Sequence, residues 1–298
     1  MQLQVNSHSS YCYTGGKPFN PALPTAVFIH GVLNDHSVWI LQSRYLAHHG
    51  WNVLAVDLPG HCRSAGEAPE SVETAAGFIT ALLDTMHIAK AALIGHSWGA
   101  LIALQGASDV GARISHLVLI GIAYPMRVSP ALLDAALNQP MKALAMVMQF
   151  SRSTLAPPPS VLGPGTWVHG AGLALGRRVL ASNCVVNVFH RGFVACDRYA
   201  NGEQAMALVT SPVLFVLGAV DQMTQAKAAA TLIEIAQSRP GPATTEVIRL
   251  PVGHHQMSEA PEATLLAIHN FIKRAPTLQN GETTPLMPAK GSSKTLQN

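Results

Sequence analysis

A doubly wound, mostly parallel α/β sheet interrupted by a helical insertion is the fold this sequence predicts, on three observations. Short continuous apolar runs recur along the chain; strands buried on both faces of a parallel sheet read in this way. Segments with helical spacing alternate with them, as crossover units require. The rhythm then breaks between about Ala123 and Thr210, a stretch too long for one crossover and without a parallel-strand run. With 298 residues, 48% of them hydrophobic and 12% charged, one large core of this kind can be filled.

In chain order, the first 20 residues suit an antiparallel hairpin at one sheet edge, with Gly15-Gly16 near its turn. Thr25 to Ile29 is a buried strand ending at His30-Gly31, and Val53 to Val56 runs into the turn Asp57-Leu58-Pro59-Gly60. Ala91 to Ile94, His116 to Ile120, Val213 to Leu217 and, less cleanly, Glu246 to Leu250 repeat the pattern. Helical spacing covers Trp39 to His49, Val72 to Met86, Ala100 to Ala107, Ala226 to Ala236 and Ala263 to Ile272. Residues 1–122 and 211–274 thus form the two parts of the sheet core, and 123–210 an inserted helical lid. Inside the lid, Leu132 to Leu137 and Met141 to Phe150 read as helix, before a Pro157-Pro158-Pro159 break and a Gly163-Pro164-Gly165 loop. Residues 275–298 lose apolar periodicity, and this tail is expected to lack a fixed fold.

Bulk properties exclude several classes. The formal charge of +3 is small and its cations are scattered, so no nucleic-acid partner is expected. No uninterrupted apolar run reaches the roughly 18 residues of a membrane span. The start, Met1 to Asn6, has neither a basic segment nor an apolar one, so no secretory signal is expected. Cys12, Cys62, Cys184 and Cys196 are spread without metal-ligand spacing. They read as free buried thiols of a cytoplasmic protein, although Cys184 and Cys196 could meet in space. No glycine-rich phosphate loop and no cofactor motif is seen, so neither metal nor organic cofactor is expected. The oligomeric state is left open.

The sharpest chemical signal is Gly95-His96-Ser97-Trp98-Gly99, set between a strand and a helix. A serine on such a sharp turn projects its hydroxyl above the sheet at a helix N-terminus, where the dipole favours developing negative charge. A serine hydroxyl is a poor nucleophile at neutral pH and needs a base. Two histidines compete for that role in the loop Leu250-Pro251-Val252-Gly253-His254-His255. His254 is favoured because it follows the glycine directly, with a helix beginning around Ser258 or Pro261. The base needs a carboxylate to fix its tautomer. Asp221 follows the strand Val213 to Leu217 at its carboxyl end, and Asp57, at another strand end, is the rival. Ser97, Asp221, His254 is also the chain order of one known triad arrangement.

Five stretches together resemble the α/β-hydrolase superfamily, in its lidded serine esterase and lipase-like branch. They are His30-Gly31, Asp57 to Ser64, Gly95 to Gly99, Gly218 to Asp221, and Gly253-His254 through Met257, Glu259 and Pro261. The resemblance implies an oxyanion hole of backbone N–H groups at Trp98 and Val32, with Leu33 the weaker candidate, and a structural role for His30. Cys62 departs from the pattern by standing where similar sequences carry glycine.

These residues suggest a serine hydrolase cleaving small to medium carboxylic esters through an acyl-enzyme on Ser97. The lid, rich in Ala, Leu, Met and Val, would form an apolar pocket over the site. Leu33, Met146 and Arg191 are its candidate pocket residues, and the Trp98 ring is expected to shape the acyl wall. Arg191 keeps open carbon–carbon bond hydrolysis of keto-acid substrates. A low-turnover ligand-binding protein on the same fold is the other alternative, as is a cofactor-free lyase or haloperoxidase using the same triad.

Overall fold

A computed structural model of the chain describes residues 1–152, 168–241 and 243–274. Eight strands form one sheet: β1 (Gln2–Val5), β2 (His8–Tyr13), β3 (Thr25–Ile29), β4 (Asn52–Val56), β5 (Ala91–His96), β6 (Ile114–Ile120), β7 (Val213–Gly218) and β8 (Thr245–Leu250). Their order across the sheet is β1-β2-β4-β3-β5-β6-β7-β8. The first two strands pair antiparallel with their neighbours, and every later pair is parallel. The chain steps from β3 outward to β4, then crosses back to β5 and continues the other way. This reversal puts a crevice at the carboxyl ends of β3 and β5, where open α/β sheets bind ligands.

The helices are α1 (Ile40–His48), α2 (Val72–Thr85), α3 (Trp98–Val110), α4 (Pro130–Asn138), α5 (Pro140–Ser151), α6 (Val168–Ala181), α7 (Val188–Arg198), α8 (Gly202–Leu208), α9 (Ala230–Ser238), α10 (Gln256–Glu259) and α11 (Pro261–Ile272). Alternate residues of the central strands feed opposite layers. Val27, Ile29 and Leu93 pack with α2, α3 and α9, while Ala26, Phe28, Ala92 and Ile94 pack with α1 and α11. Strands β3, β4, β5 and β7 are buried at every position, as continuous apolar runs require. Helix α2 starts where the Ser71 hydroxyl accepts the Thr74 amide at 3.1 Å, with Glu73 facing the positive end of the dipole.

Between β6 and β7 lie α4 to α8. Ala135, Leu144, Met148, Val179, Phe189 and Phe193 of this insert form a third apolar cluster that reaches the core at Leu33 and Ala68. Leu132 to Leu137 falls in α4, and Met141 to Phe150 in α5. Pro157 to Pro159, Gly163 to Gly165 and the 275–298 tail lie outside the described residues.

Two expectations need correction. The hairpin turns at Asn6-Ser7 (φ 49° and 65°), not at Gly15-Gly16, which follow β2. Two successive positive φ values are what a tight two-residue hairpin turn demands, and Asn tolerates them better than most residues. All four cysteines are free as expected, but Cys184 is exposed and Cys62 only half-buried. No helix among the described residues is long and apolar enough to cross a membrane.

Candidate active site

Ser97 stands at the junction of β5 and α3 with φ 55° and ψ −119°, a strained geometry for a residue with a side chain. Its surroundings hold it there. The Ser97 N–H donates to the Ile120 carbonyl at 2.9 Å, and its own carbonyl accepts the Ala100 amide at 2.8 Å. Glycines flank it for a steric reason: a methyl at Gly95 would collide with the Gly99 carbonyl, and one at Gly99 with the Ile29 and His30 carbonyls.

His254 and Asp221 meet at the carboxyl ends of β8 and β7. His254 Nδ1 lies 2.8 Å from Asp221 Oδ2. The other carboxylate oxygen accepts the Met223 and Thr224 amides at 2.8 and 2.9 Å. Burial alone would raise the Asp221 carboxyl, but the His254 imidazole and the Thr224 donors outweigh it and hold the group below the ordinary carboxylate range.

The Thr224 hydroxyl lies 2.8 Å from Asp221 Oδ2, 2.9 Å from His254 Nδ1 and 2.9 Å from the Gly121 carbonyl. With Nδ1 protonated toward the carboxylate, this hydroxyl accepts a share of that hydrogen and donates its own to Asp221 or Gly121. Thr224 went unseen in the sequence, although its place three residues after an Asp marks a side-chain-capped turn. The loop is pinned further by Glu259, whose oxygens accept the Gly253 and His255 amides at 3.1 and 3.0 Å. The His254 amide donates to the Ser151 carbonyl at 2.7 Å, and its carbonyl lies 2.8 Å from His96 Nε2.

Ser97 and His254 both line two adjoining cavities, of about 600 Å³ and about 300 Å³. Among the described residues no hydrogen bond joins the Ser97 hydroxyl to His254; such bonds are often loose until substrate is bound. The rival residues are engaged elsewhere. Asp57 Oδ1 accepts the His36 amide at 2.9 Å and lies 2.7 Å from His36 Nδ1, while Oδ2 accepts the Arg63 amide at 3.2 Å. His255 is buried, and burial, then the charges of Arg152, His96 and His254, push its imidazole well below the ordinary range. It is therefore held neutral.

Trp98 begins α3, so its amide has no intrahelical acceptor, and Val32 stands opposite in the loop after β3. Among the described residues neither amide meets an acceptor. Leu33 (φ 58°) lines the larger cavity and Met146 the smaller. Two other pocket expectations are corrected. The Trp98 ring is buried in the core layer beside His61 and lines neither cavity. Arg191 also lines neither: its guanidinium donates to the Ala68 carbonyl at 3.0 Å and pairs with Glu70 at 3.5 Å. The rotation of α7 causes this, because Val188, Phe189, Gly192 and Phe193 take its inward face.

His30 Nδ1 contacts the Gly31 carbonyl at 2.8 Å while Nε2 accepts the Leu58 amide at 3.2 Å, tying the loops after β3 and β4 together. Cys62 has φ 45°, which explains why glycine would be favoured there. Its thiol sits 3.4 Å from Asp35 Oδ2, and burial, then the Asp35 and Asp57 charges, push it up to about 12. It is not a reactive thiolate. Asp35, His36 and Asp57 bring potential metal ligands together, but Ser37, Arg178, Arg63 and the Asp57–His36 contact already engage the carboxylates.

Comparison with known proteins follows the same lines. Residues 24–165 match the family described as alpha/beta hydrolase fold. Over 97 residues (32% of this chain) the sequence is 35% identical to a dihydrolipoyllysine-residue acetyltransferase component of the acetoin cleaving system of Cupriavidus necator. Over 134 residues (43% of this chain) it is 31% identical to an sn-1-specific diacylglycerol lipase of Danio rerio. The matched stretches span only 26% and 40% of those two proteins' own lengths. The enol-lactonase from Burkholderia xenovorans LB400 superposes with a TM-score of 0.73 at 21% identity, covering 92% of this chain and 100% of the lactonase. With this sheet order and this family match over residues 24–165, the chain has the alpha/beta hydrolase fold.

Proposed function

We propose that the protein is a serine hydrolase that cleaves small to medium carboxylic esters. The observation that supports this best is the His254 imidazole, bonded to Asp221 at 2.8 Å and lining the same cavities as a serine held at φ 55°. His254 takes the Ser97 proton as the hydroxyl attacks the ester carbonyl. The Val32 and Trp98 amides donate to the oxyanion, a contribution of about 3 kcal/mol per well-placed donor. His254 then protonates the leaving alcohol, and water repeats the cycle to free the acid. Asp221 stays ionised throughout and stabilises the imidazolium, with Thr224 as a positioning residue for both.

The α4–α8 insert acts as the lid, since its residues Leu144, Met148 and Phe193 supply apolar walls to the cavities. Diacylglycerols and enol lactones, for which two of the relatives are named, are both carboxylic esters. Arg191, turned away from the cavities, does not serve the keto-acid alternative. Four free cysteines fit a reducing, cytoplasmic setting.

A panel of p-nitrophenyl esters from acetate to octanoate, assayed with wild type and Ser97→Ala, tests the reading. Wild type is expected to turn over the shorter esters, and the variant to lose about 10³-fold or more of kcat. Equal rates in the two proteins would refute it; tight ester binding without turnover would favour the ligand-binding alternative.

A further inference from the structure

We propose that the larger cavity receives esters carrying a second, ionised carboxyl group, and that Arg152 is the residue that binds it. The proposal rests on the serine-hydrolase reading and adds the class of substrate. Arg152 closes α5 and lines the about 600 Å³ cavity together with Ser97, His254, His255 and Ser258.

Three cationic side chains near the cavity can be compared. Arg191 is turned away onto Ala68 and Glu70. Arg178 lines the cavity but is occupied, donating through Nη2 and Nε to Asp35 Oδ2 at 2.6 and 3.2 Å and to Ser37 Oγ at 3.0 Å. Arg152 differs from both. Its one side-chain hydrogen bond among the described residues runs from Nη1 to Ser258 Oγ at 3.3 Å, and its Nε is buried without an acceptor. A guanidinium has five N–H donors in a planar fork, so among the described residues most of this one is unspent.

The nearest acid does not complete it. Glu259 acts on Arg152 only at longer range, no ion pair forms between them, and the Glu259 oxygens hold the Gly253 and His255 amides. Burial pushes the Arg152 guanidinium below its ordinary range, and the Glu259 charge opposes that only in part. A desolvated cation beside Met148, at the lining of the cavity and with a buried donor left unmet, is matched by an anion with two coplanar oxygens. The preceding Ser151 carbonyl holds the His254 amide at 2.7 Å, so this cation is tied by backbone to the loop that presents the base. A substrate gripped there is thereby oriented toward Ser97.

The test compares p-nitrophenyl butyrate with the mono-p-nitrophenyl esters of succinic and glutaric acid, in wild type, Arg152→Gln and Arg152→Lys. The readout is the ratio of kcat/KM for the charged ester to that for the neutral one, within each protein. Loss of folding or of general catalysis lowers both rates and leaves the ratio alone. Arg152→Gln is expected to reduce the ratio about 10- to 100-fold relative to wild type, as a charge-assisted pair implies. Arg152→Lys is expected to recover part of it, because an ammonium keeps the charge without the fork. Free glutarate should inhibit butyrate hydrolysis competitively in wild type and more weakly in Arg152→Gln. An unchanged ratio overturns the proposal while leaving the hydrolase reading intact. If neither ester is turned over, or Ser97→Ala works as well as wild type, the hydrolase reading fails instead. Glutarate titrated by calorimetry against wild type and Arg152→Gln then decides the anion site by itself, equal affinity ruling it out.

Discussion

The sheet core and the α4–α8 insert hold their functional residues by different means. In the core, placement is a backbone matter: strands buried at every position deliver Ser97 and Asp221 to one rim, the half-buried β8 brings His254 to it, and glycines allow the close approaches there. The insert has its own apolar cluster, joins the main core through Ala195, Cys196 and Met206, and adds polar side-chain contacts to the loops beside the site. Arg178 binds Asp35, Asn183 Nδ2 donates to the Gly60 carbonyl at 3.1 Å, and the Cys62 amide donates to Ser182 Oγ at 3.0 Å. Contacts of this kind are individually weak and can be remade in another position. On the proposed chemistry, the difference puts catalysis where packing leaves no choice and selectivity where the structure can yield.

The hardest blow to that contrast would come from the core. Gly95→Ala is expected to cost about 3 kcal/mol or more, or to prevent folding, since the added methyl meets backbone rather than a flexible side chain. A soluble variant with a near-native melting temperature would show that the elbow is looser than described. Thr224→Val should lower kcat about 10-fold with little change in KM, because the hydroxyl positions both Asp221 and His254 rather than touching substrate. Thr224→Ser, which keeps the hydroxyl, should restore most of the rate. A rise in KM alone would contradict the assignment.

Acid should also unmake the core in a defined order. Burial, followed by the charge of a neighbouring histidine, lowers His61 to about 4 and His96 to about 3 from an ordinary 6.5. The unfolded chain therefore binds more protons below pH 6.5, and stability, full above that value, falls as pH drops toward 4. The carboxylates add a second loss at lower pH. Burial opposes it, but Ser37 and Arg178 hold Asp35 at about 2, and Asp221 is also lowered. Their stabilisation is present above the unfolded value near 3.9 and disappears as pH falls through the lower folded values. Melting temperatures from pH 8 to pH 3 should be flat above 6.5 and decline in both steps; a flat profile to pH 4 would contradict the buried neutral histidines. The smallest effect belongs to the insert. Arg178→Gln should cost at most about 1 kcal/mol, since the arginine side is half exposed and screened. Hydrogen exchange in α6 should nevertheless rise, and no change there would remove the Arg178–Asp35 contact as a fastening of the insert.

The same contrast governs what could be read from sequence. Continuous apolar runs gave the strands to within one or two residues, and the triad candidates fell at strand ends because parallel sheets end that way. His254 could be preferred over His255 from its glycine, and in the structure it is His254 whose Nδ1 meets Asp221. Facts set by rotation of helices were not legible. Arg191 and Arg152 are both arginines in the insert, yet α7 packing turns one outward while the end of α5 brings the other to the cavity. Thr224 was hidden for a related reason, since a hydroxyl that bridges two distant residues has no pattern of its own. The turn at Asn6-Ser7 was lost to the stronger lure of two adjacent glycines.

Everything in the proposed chemistry depends on Ser97 being made nucleophilic by His254. Labelling with a fluorophosphonate, followed by intact mass and peptide mapping, measures this directly. One label per chain, on Ser97, abolished by His254→Ala while the fold is retained, is the result expected. A label on another residue, or ester turnover that persists with Ser97 unlabelled, would contradict it.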